Sequence, residues 1–177
     1  MKSVYLKLNL LFVGWRPGRD VWHKLRLPEG IDVFSTARKV LSEFGLLKFG
    51  PSCERTILDP AAAGDLRRPI ELLSQKVGVA LFPIGVTHVQ DVEYLVVDEN
   101  EVIYRLFHCT SSVPEVYSLR PLAANADDAV DLLMGRTRGS ERRRKAMLER
   151  GLLDRRWEVE IPGSGGAGSG SFIRRLP

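Results

Sequence analysis

The chain has 177 residues, 44% hydrophobic and 27% charged, the balance of one globular domain with appendages and enough apolar material for its own core. Two cysteines, Cys53 and Cys109, cannot build a disulfide framework, so a reducing cytoplasm is the expected compartment. The net charge of +4 is unevenly placed: residues 1–135 carry 15 Lys/Arg against 17 Asp/Glu and residues 136–156 carry nine against three, so the basic pI does not mark the whole molecule as a nucleic-acid binder.

At the N-terminus, the apolar run Leu8 to Val13 is too short to span a bilayer and lacks a small-residue cleavage site, so no membrane segment or leader is expected there. Val4, Leu6, Leu8 and Leu10 alternate with other residues, which predicts a strand. Phe34, Ala37, Val40, Leu41 and Phe44 share one helical stripe, with Asp32 or Ser35 to cap the helix and Gly45 to end it. A second helix follows Asp65, with Ile70, Leu73 and Val77 inward, Pro69 in its first turn and Gly78 at its end. Val79 to Ile84 reads as a strand whose Pro83 suits an edge or a strand end. Val92 to Val97 and Val102 to Phe107 form a hairpin around residues 98–101, with Asn100 as the expected left-handed residue. Val116 to Leu119 is a further short strand.

Asn125 caps a helix running to Met134, with Asp127 and Asp128 in its first turn and Gly135 after it. Beyond it, Ser140 opens a basic helix to Arg150, Trp157 to Ile161 alternates as a strand, and residues 162–171 are a Gly/Ser linker. Strands framed by helices without βαβ alternation predict an α+β fold with a mostly antiparallel sheet. The expected organisation is one domain over residues 1–136, a basic helical extension over 137–161 and a flexible tail over 162–177.

No reaction centre assembles from these residues. His23, His88, His108 and the cysteines have no metal-ligand spacing, so no metal and no cofactor are expected, and both cysteines read as small buried hydrophobes. Gly163 to Gly168 matches a dinucleotide-binding pattern literally, but only nine residues follow it, the last of them Pro177, so it is expected to be composition and not a nucleotide site. Arg142, Arg143, Arg144 and Lys145 could neutralise phosphates, which makes a nucleic-acid-binding or regulatory adaptor protein the alternative reading. No aromatic platform is interleaved with them, and a solvated basic helix is favoured over nucleic-acid binding. The chain is therefore expected to work by presenting a surface, not as an enzyme.

Several landmarks resemble the SUKH superfamily of bacterial immunity proteins, and its third immunity family most closely. Gly14-Trp15-Arg16-Pro17-Gly18-Arg19 looks like that family's GW-x-PGR motif, and residues 34–45 are similar to its first helix. Ile57-Leu58-Asp59-Pro60, Leu81-Phe82-Pro83-Ile84-Gly85, the hairpin from Leu95 to Tyr104 and Leu132-Leu133-Met134-Gly135-Arg136 resemble further elements in the same order. Two turns depart from the pattern: Leu46 stands where a second Gly is usual, and Asn100 or Glu101 replaces the hairpin Gly. The resemblance implies a cytoplasmic, non-catalytic protein that binds and neutralises a cognate toxin domain, often a nuclease or deaminase. Trp15, Arg19, Trp22 and Tyr117 are candidate anchors, with Trp15 partly in the core. Asp91, Glu93, Asp98, Glu99 and Asp128 are expected to form an acidic rim complementary to a basic toxin.

Overall fold

The computed structural model describes residues 4–50, 55–89, 91–109, 114–134, 140–152 and 154–161. Seven strands form one antiparallel meander in sequence order, which makes the fold α+β. They are β1 (Lys48–Phe49), β2 (Thr56–Ile57), β3 (Leu81–Val89), β4 (Asp91–Asp98), β5 (Ile103–Cys109), β6 (Glu115–Ala123) and β7 (Trp157–Ile161). The helices are α1 (Val4–Phe12), α2 (Ser35–Phe44), α3 (Arg67–Val77), α4 (Ala126–Leu133) and α5 (Ser140–Glu149).

Strand alternation sends side chains to two cores. On one face Leu95, Val97, Ile103 and Ala123 meet Leu10 of α1, Ala37, Val40, Leu41 and Phe44 of α2, and Ala126, Ala129 and Val130 of α4. On the other face Val96, Tyr104, Leu106, Tyr117 and Leu119 meet Ile70 and Leu73 of α3, together with Met147 and Leu152. Trp157, Val159 and Ile161 of β7 pack against this second core, Trp157 edge-on to Tyr104 at 6.0 Å between ring centroids. β7 pairs with β6 from Glu115↔Ile161 to Leu119↔Trp157. The composition boundary at residue 136 is thus not an edge of the sheet: the segment read as an extension supplies its last strand. The outer side of β7 is partly occupied, since Lys76 Nζ of α3 donates to the carbonyl of Glu158.

Four local expectations need correction. Val4–Phe12 is a helix, not a strand. Leucine is among the better helix formers, and Leu11 and Phe12 already break the alternation that suggested a strand. Leu10 is buried in the first core, and Leu8, Leu11 and the 89%-exposed Phe12 share the outward stripe. The residue before α2 is Phe34, which offers no capping side chain; Ser35 is already inside the helix and Asp32 lies outside it. Pro83 sits in an interior strand, tolerated because the β3–β4 register shifts between Pro83 and Gly85. Gly85 is needed there, as a Cβ would lie 2.2 Å from the carbonyl oxygen of Ile57 on β2. In the hairpin the left-handed residue is Glu101 (φ 65°), not Asn100.

Leu46 is likewise left-handed (φ 61°), so both departures from the family's glycine pattern place an L side chain where φ is positive. Each such residue costs about 1–2 kcal/mol of backbone strain. A Glu101→Gly variant gives back about 0.5–1 kcal/mol through its more flexible unfolded chain, and it also loses an exposed ion pair with Lys39. The expected net is a gain of about 0.5 kcal/mol, read as a thermal midpoint raised by about 1–2 °C in calorimetry.

Other expectations match. α3 begins with Pro69 in its first turn and ends at a left-handed Gly78, and α4 is capped by Asn125. One further expectation fails: Cys109, the last residue of β5, is exposed instead of buried. Cys53, Gly135, Arg136 and the tail after Ile161 lie outside the described residues.

Candidate binding face

The GW-x-PGR stretch forms a clasp on the C-terminal turn of α2. The last carbonyls of a helix have no intrahelical partner and carry partial negative charge. Arg19 Nη1 donates to the Glu43 carbonyl at 3.0 Å, and the Val21 amide donates to that of Ser42 at 3.0 Å. Trp15, buried, donates its indole N–H to the Glu43 carboxylate at 3.2 Å. Asp20 accepts from the Trp22 amide at 3.0 Å, and that bond holds its carboxyl below the usual range. Arg38 lies 5.3 Å above the Trp22 ring. Gly14 and Gly18 supply the positive φ angles that let Trp15 to Arg19 fold back, with Pro17 at the turn between them. These contacts make the motif an internal fastening of α2, with Trp15 in the core.

The five acidic residues expected as a rim do not share one surface. Asp98 is 2% exposed. Its Oδ1 accepts from the amides of Asn100 (2.8 Å) and Val102 (2.9 Å), and its Oδ2 accepts the Tyr104 hydroxyl proton at 2.7 Å. It organises the hairpin from inside. Asp128 is 7% exposed: its amide donates to Asn125 Oδ1 and its carboxylate accepts from Asn125 Nδ2, both at 2.9 Å, a reciprocal cap of α4. The Glu93 side chain is 12% exposed and faces Arg105 Nε at 3.3 Å. Glu99 is exposed at the hairpin tip, where its carbonyl accepts from Thr36. Asp91 is described only as a β4 position opposite Val89, its side chain lying outside the described part. Burial in an apolar interior without those internal donors would be too costly for Asp98 or Asp128, so both are committed to the fold.

What the sheet does bring together is a row of directly opposed residues across six strands: Thr56, Thr87, Glu93, Phe107, Ser118 and Glu158. It lies on the α2/α4 face, beyond the apolar part those helices cover. Its near end is closed, with Thr56 and Thr87 buried and their hydroxyls 3.0 Å apart. Toward β7 it opens: Phe107 is half-buried, and Cys109, Arg120, Glu158 and Glu160 are exposed.

Arg105 and Arg120 stand directly opposite each other, a repulsive pairing in a sheet. Arg105 is compensated by Glu93, and Arg120 stacks over Phe107 at 5.4 Å. Arg156 Nε donates to Ser118 Oγ at 3.0 Å and its Nη2 pairs with Glu158. The open region therefore has a cationic middle over an aromatic ring and an acidic outer edge. Glu158 and Glu160 were missed as site residues because their strand was placed outside the domain; their outward alternation in Trp157–Ile161 was the available signal.

The opposite face carries two buried phenols. Burial, then the hydrogen bond to Asp98, pushes the Tyr104 hydroxyl far above its usual value; burial, then Glu115, pushes Tyr117 up to about 12. A raised phenol pKa favours the neutral folded form, so this stability is complete below about pH 10 and is lost as pH rises through about 12. We expect the urea midpoint to hold from pH 7 to 9 and fall above about pH 10, with a shallower fall in Tyr104→Phe.

The basic run on α5 is split. Arg143 is half-buried with its Nη1 enclosed, whereas Arg144 and Lys145 are exposed and Lys145 lies 3.9 Å from Glu149; the Arg142 side chain is outside the described part. Among the described residues no group of His, Cys, Asp and Glu could hold a metal ion, and no helix is long and apolar enough to cross a membrane.

The described residues thus form a meander sheet layered by helices, with a mixed-charge open stretch on the α2/α4 face. The SUKH-3 immunity protein family model matches residues 7–135, and the chain belongs to that family. It is thus an immunity protein directed against a toxin, its partner being the cognate toxin. No curated protein and no solved structure matches it. The match ends before α5 and β7, so the strand carrying Glu158 and Glu160 lies beyond the matched stretch.

Proposed function

We propose that this protein neutralises a basic toxin domain of nuclease or deaminase type by covering it with the open β5–β7 part of the sheet, acting in the cytoplasm and running no reaction of its own. The observation that carries this reading is the exposed Arg120 stacked over the half-buried Phe107, beside the acidic edge Glu158 and Glu160. Aromatic and arginine side chains are the usual anchors of tight interfaces, and flanking carboxylates steer a basic partner and reject wrong ones. Arg120 and Glu160 are exposed, so changing them leaves the cores untouched.

The test is co-expression and titration with the cognate toxin domain. Arg120→Glu with Glu160→Arg is expected to weaken binding by more than about tenfold and abolish protection while the thermal midpoint stays within about 2 °C. Unchanged protection by that double variant would remove the face from the interface.

A further inference from the structure

On the face away from the proposed interface, the C-terminal segment closes a cleft of about 390 Å³ against the β4–β5 hairpin and the end of α3. That volume lies in the range of small-ligand sites. Val79, Val102, Leu152 and Trp157 give it apolar walls, and Arg150 and Arg155 line it while remaining exposed.

The charge of this cleft is unbalanced. Asp98 is the one acid in the lining, and its two oxygens already accept three hydrogen bonds from within the hairpin. Neither Arg150 nor Arg155 has a carboxylate partner among the described residues. Arg150 is held in place by a single nitrogen: its Nη1 donates to the carbonyls of Asn100 at 3.0 Å and Ala124 at 2.8 Å. Its Nε and Nη2 have no acceptor among the described residues. Arg150 and Arg155 line the same cleft, together with Tyr104. A guanidinium fork fixed by its scaffold matches two oxygens of a phosphate or carboxylate, and flat apolar walls beside it suit a ring.

We propose that this cleft is a binding site for an organic anion, a phosphate or carboxylate group carried on a flat apolar body. The anionic group sits between Arg150 and Arg155, and the body lies against Trp157 and Leu152. Four of the residues that make the cleft, Arg150, Leu152, Arg155 and Trp157, fall after the stretch that the family model matches. The site does not depend on the toxin-binding reading, and it is tested without any toxin.

The experiment is a ¹H–¹⁵N titration of the full chain with phenyl phosphate, benzoate, inorganic phosphate and benzyl alcohol in parallel. Saturating shifts of the Trp157 indole N–H and the Asn100 and Arg155 amides are expected with phenyl phosphate, benzoate or both, and which of these binds tighter identifies the anionic group. Inorganic phosphate and benzyl alcohol are each expected to bind at least about tenfold more weakly, since each supplies half of the recognition. Arg155→Gln, at an exposed position, is expected to weaken binding about tenfold without moving the thermal midpoint. The proposal is overturned if shifts map to Arg144 and Lys145 instead, if inorganic phosphate binds as well as phenyl phosphate, or if Arg155→Gln changes nothing.

Discussion

A chain cut after residue 138 is expected to lose its cooperative unfolding transition. The cut removes Met147 and Leu152 from the second core and Trp157, Val159 and Ile161 from its margin. Full burial of an apolar side chain of this size is worth about 1.5–3 kcal/mol, so the two buried side chains, with a part of that for each of the three at the margin, amount to a large share of the net stability of an ordinary domain. Tyr104 loses the ring packed edge-on against it. β6 becomes an open edge, with the backbone groups of residues 115–119 deprived of their partners in β7. Arg150 also ties the hairpin carbonyl of Asn100 to that of Ala124, so the cut frees the approach to α4 as well. A cut after Ile161 removes none of these contacts and serves as the control. Circular dichroism melts and dye binding decide the matter: the shorter chain should bind a hydrophobic dye and melt without a sharp midpoint. A midpoint equal to that of the control would show that the last strand is dispensable.

The second large effect is expected at Asp98. Asp98→Ala strands the buried Val102 amide and the Tyr104 hydroxyl, and frees the hairpin tip at Asn100. Each buried donor left unmade costs about 1–3 kcal/mol, giving about 3–5 kcal/mol in all. For a chain of this length that is a fall of about 10–15 °C in the thermal midpoint. Asp98→Asn should be much milder, near 1 kcal/mol: its Oδ1 still accepts both amides, and its amide group can donate to the tyrosine oxygen. A similar loss in both variants would mean that charge, not acceptor geometry, holds the turn. Chemical denaturation of the two variants side by side separates these outcomes.

Much of the fold was legible because local and tertiary demands agree. The stripe from Phe34 to Phe44 has a single apolar face, so the helix followed directly. Asn125 and Gly78 sit where a cap and a left-handed terminus are needed. The hairpin was legible from its two β-branched runs, but its left-handed residue was not. Asn tolerates that conformation better than Glu, yet Asp98 already binds the amide of residue 100, and the strain moves on to Glu101.

The same carboxylate explains why the acidic rim could not be read. An Asp beside a turn looks solvated until the strands place a tyrosine above it, and pairing of strands is not written in composition. A local signal did exist: Asp two and four residues ahead of turn amides is a side-chain-bonded turn. β7 was recognised as a strand by alternation, but its partner β6 lies some forty residues earlier, across a basic helix that suggested a boundary. The open face depended on that pairing and stayed out of reach with it.

The lysine amine seated on the rim of the last strand has a consequence for behaviour in company. A second molecule trying to zip onto this strand would first have to evict Lys76 from its carbonyl, trading a charged bond for a neutral one. Antiparallel self-pairing centred on Val159 would then set Glu158 of each copy against Glu160 of the other. At the opposite end the sheet stops in two-residue strands too short to template growth. The molecule is thereby guarded against fibre formation at both margins, so it can accumulate ahead of its adversary without consuming itself.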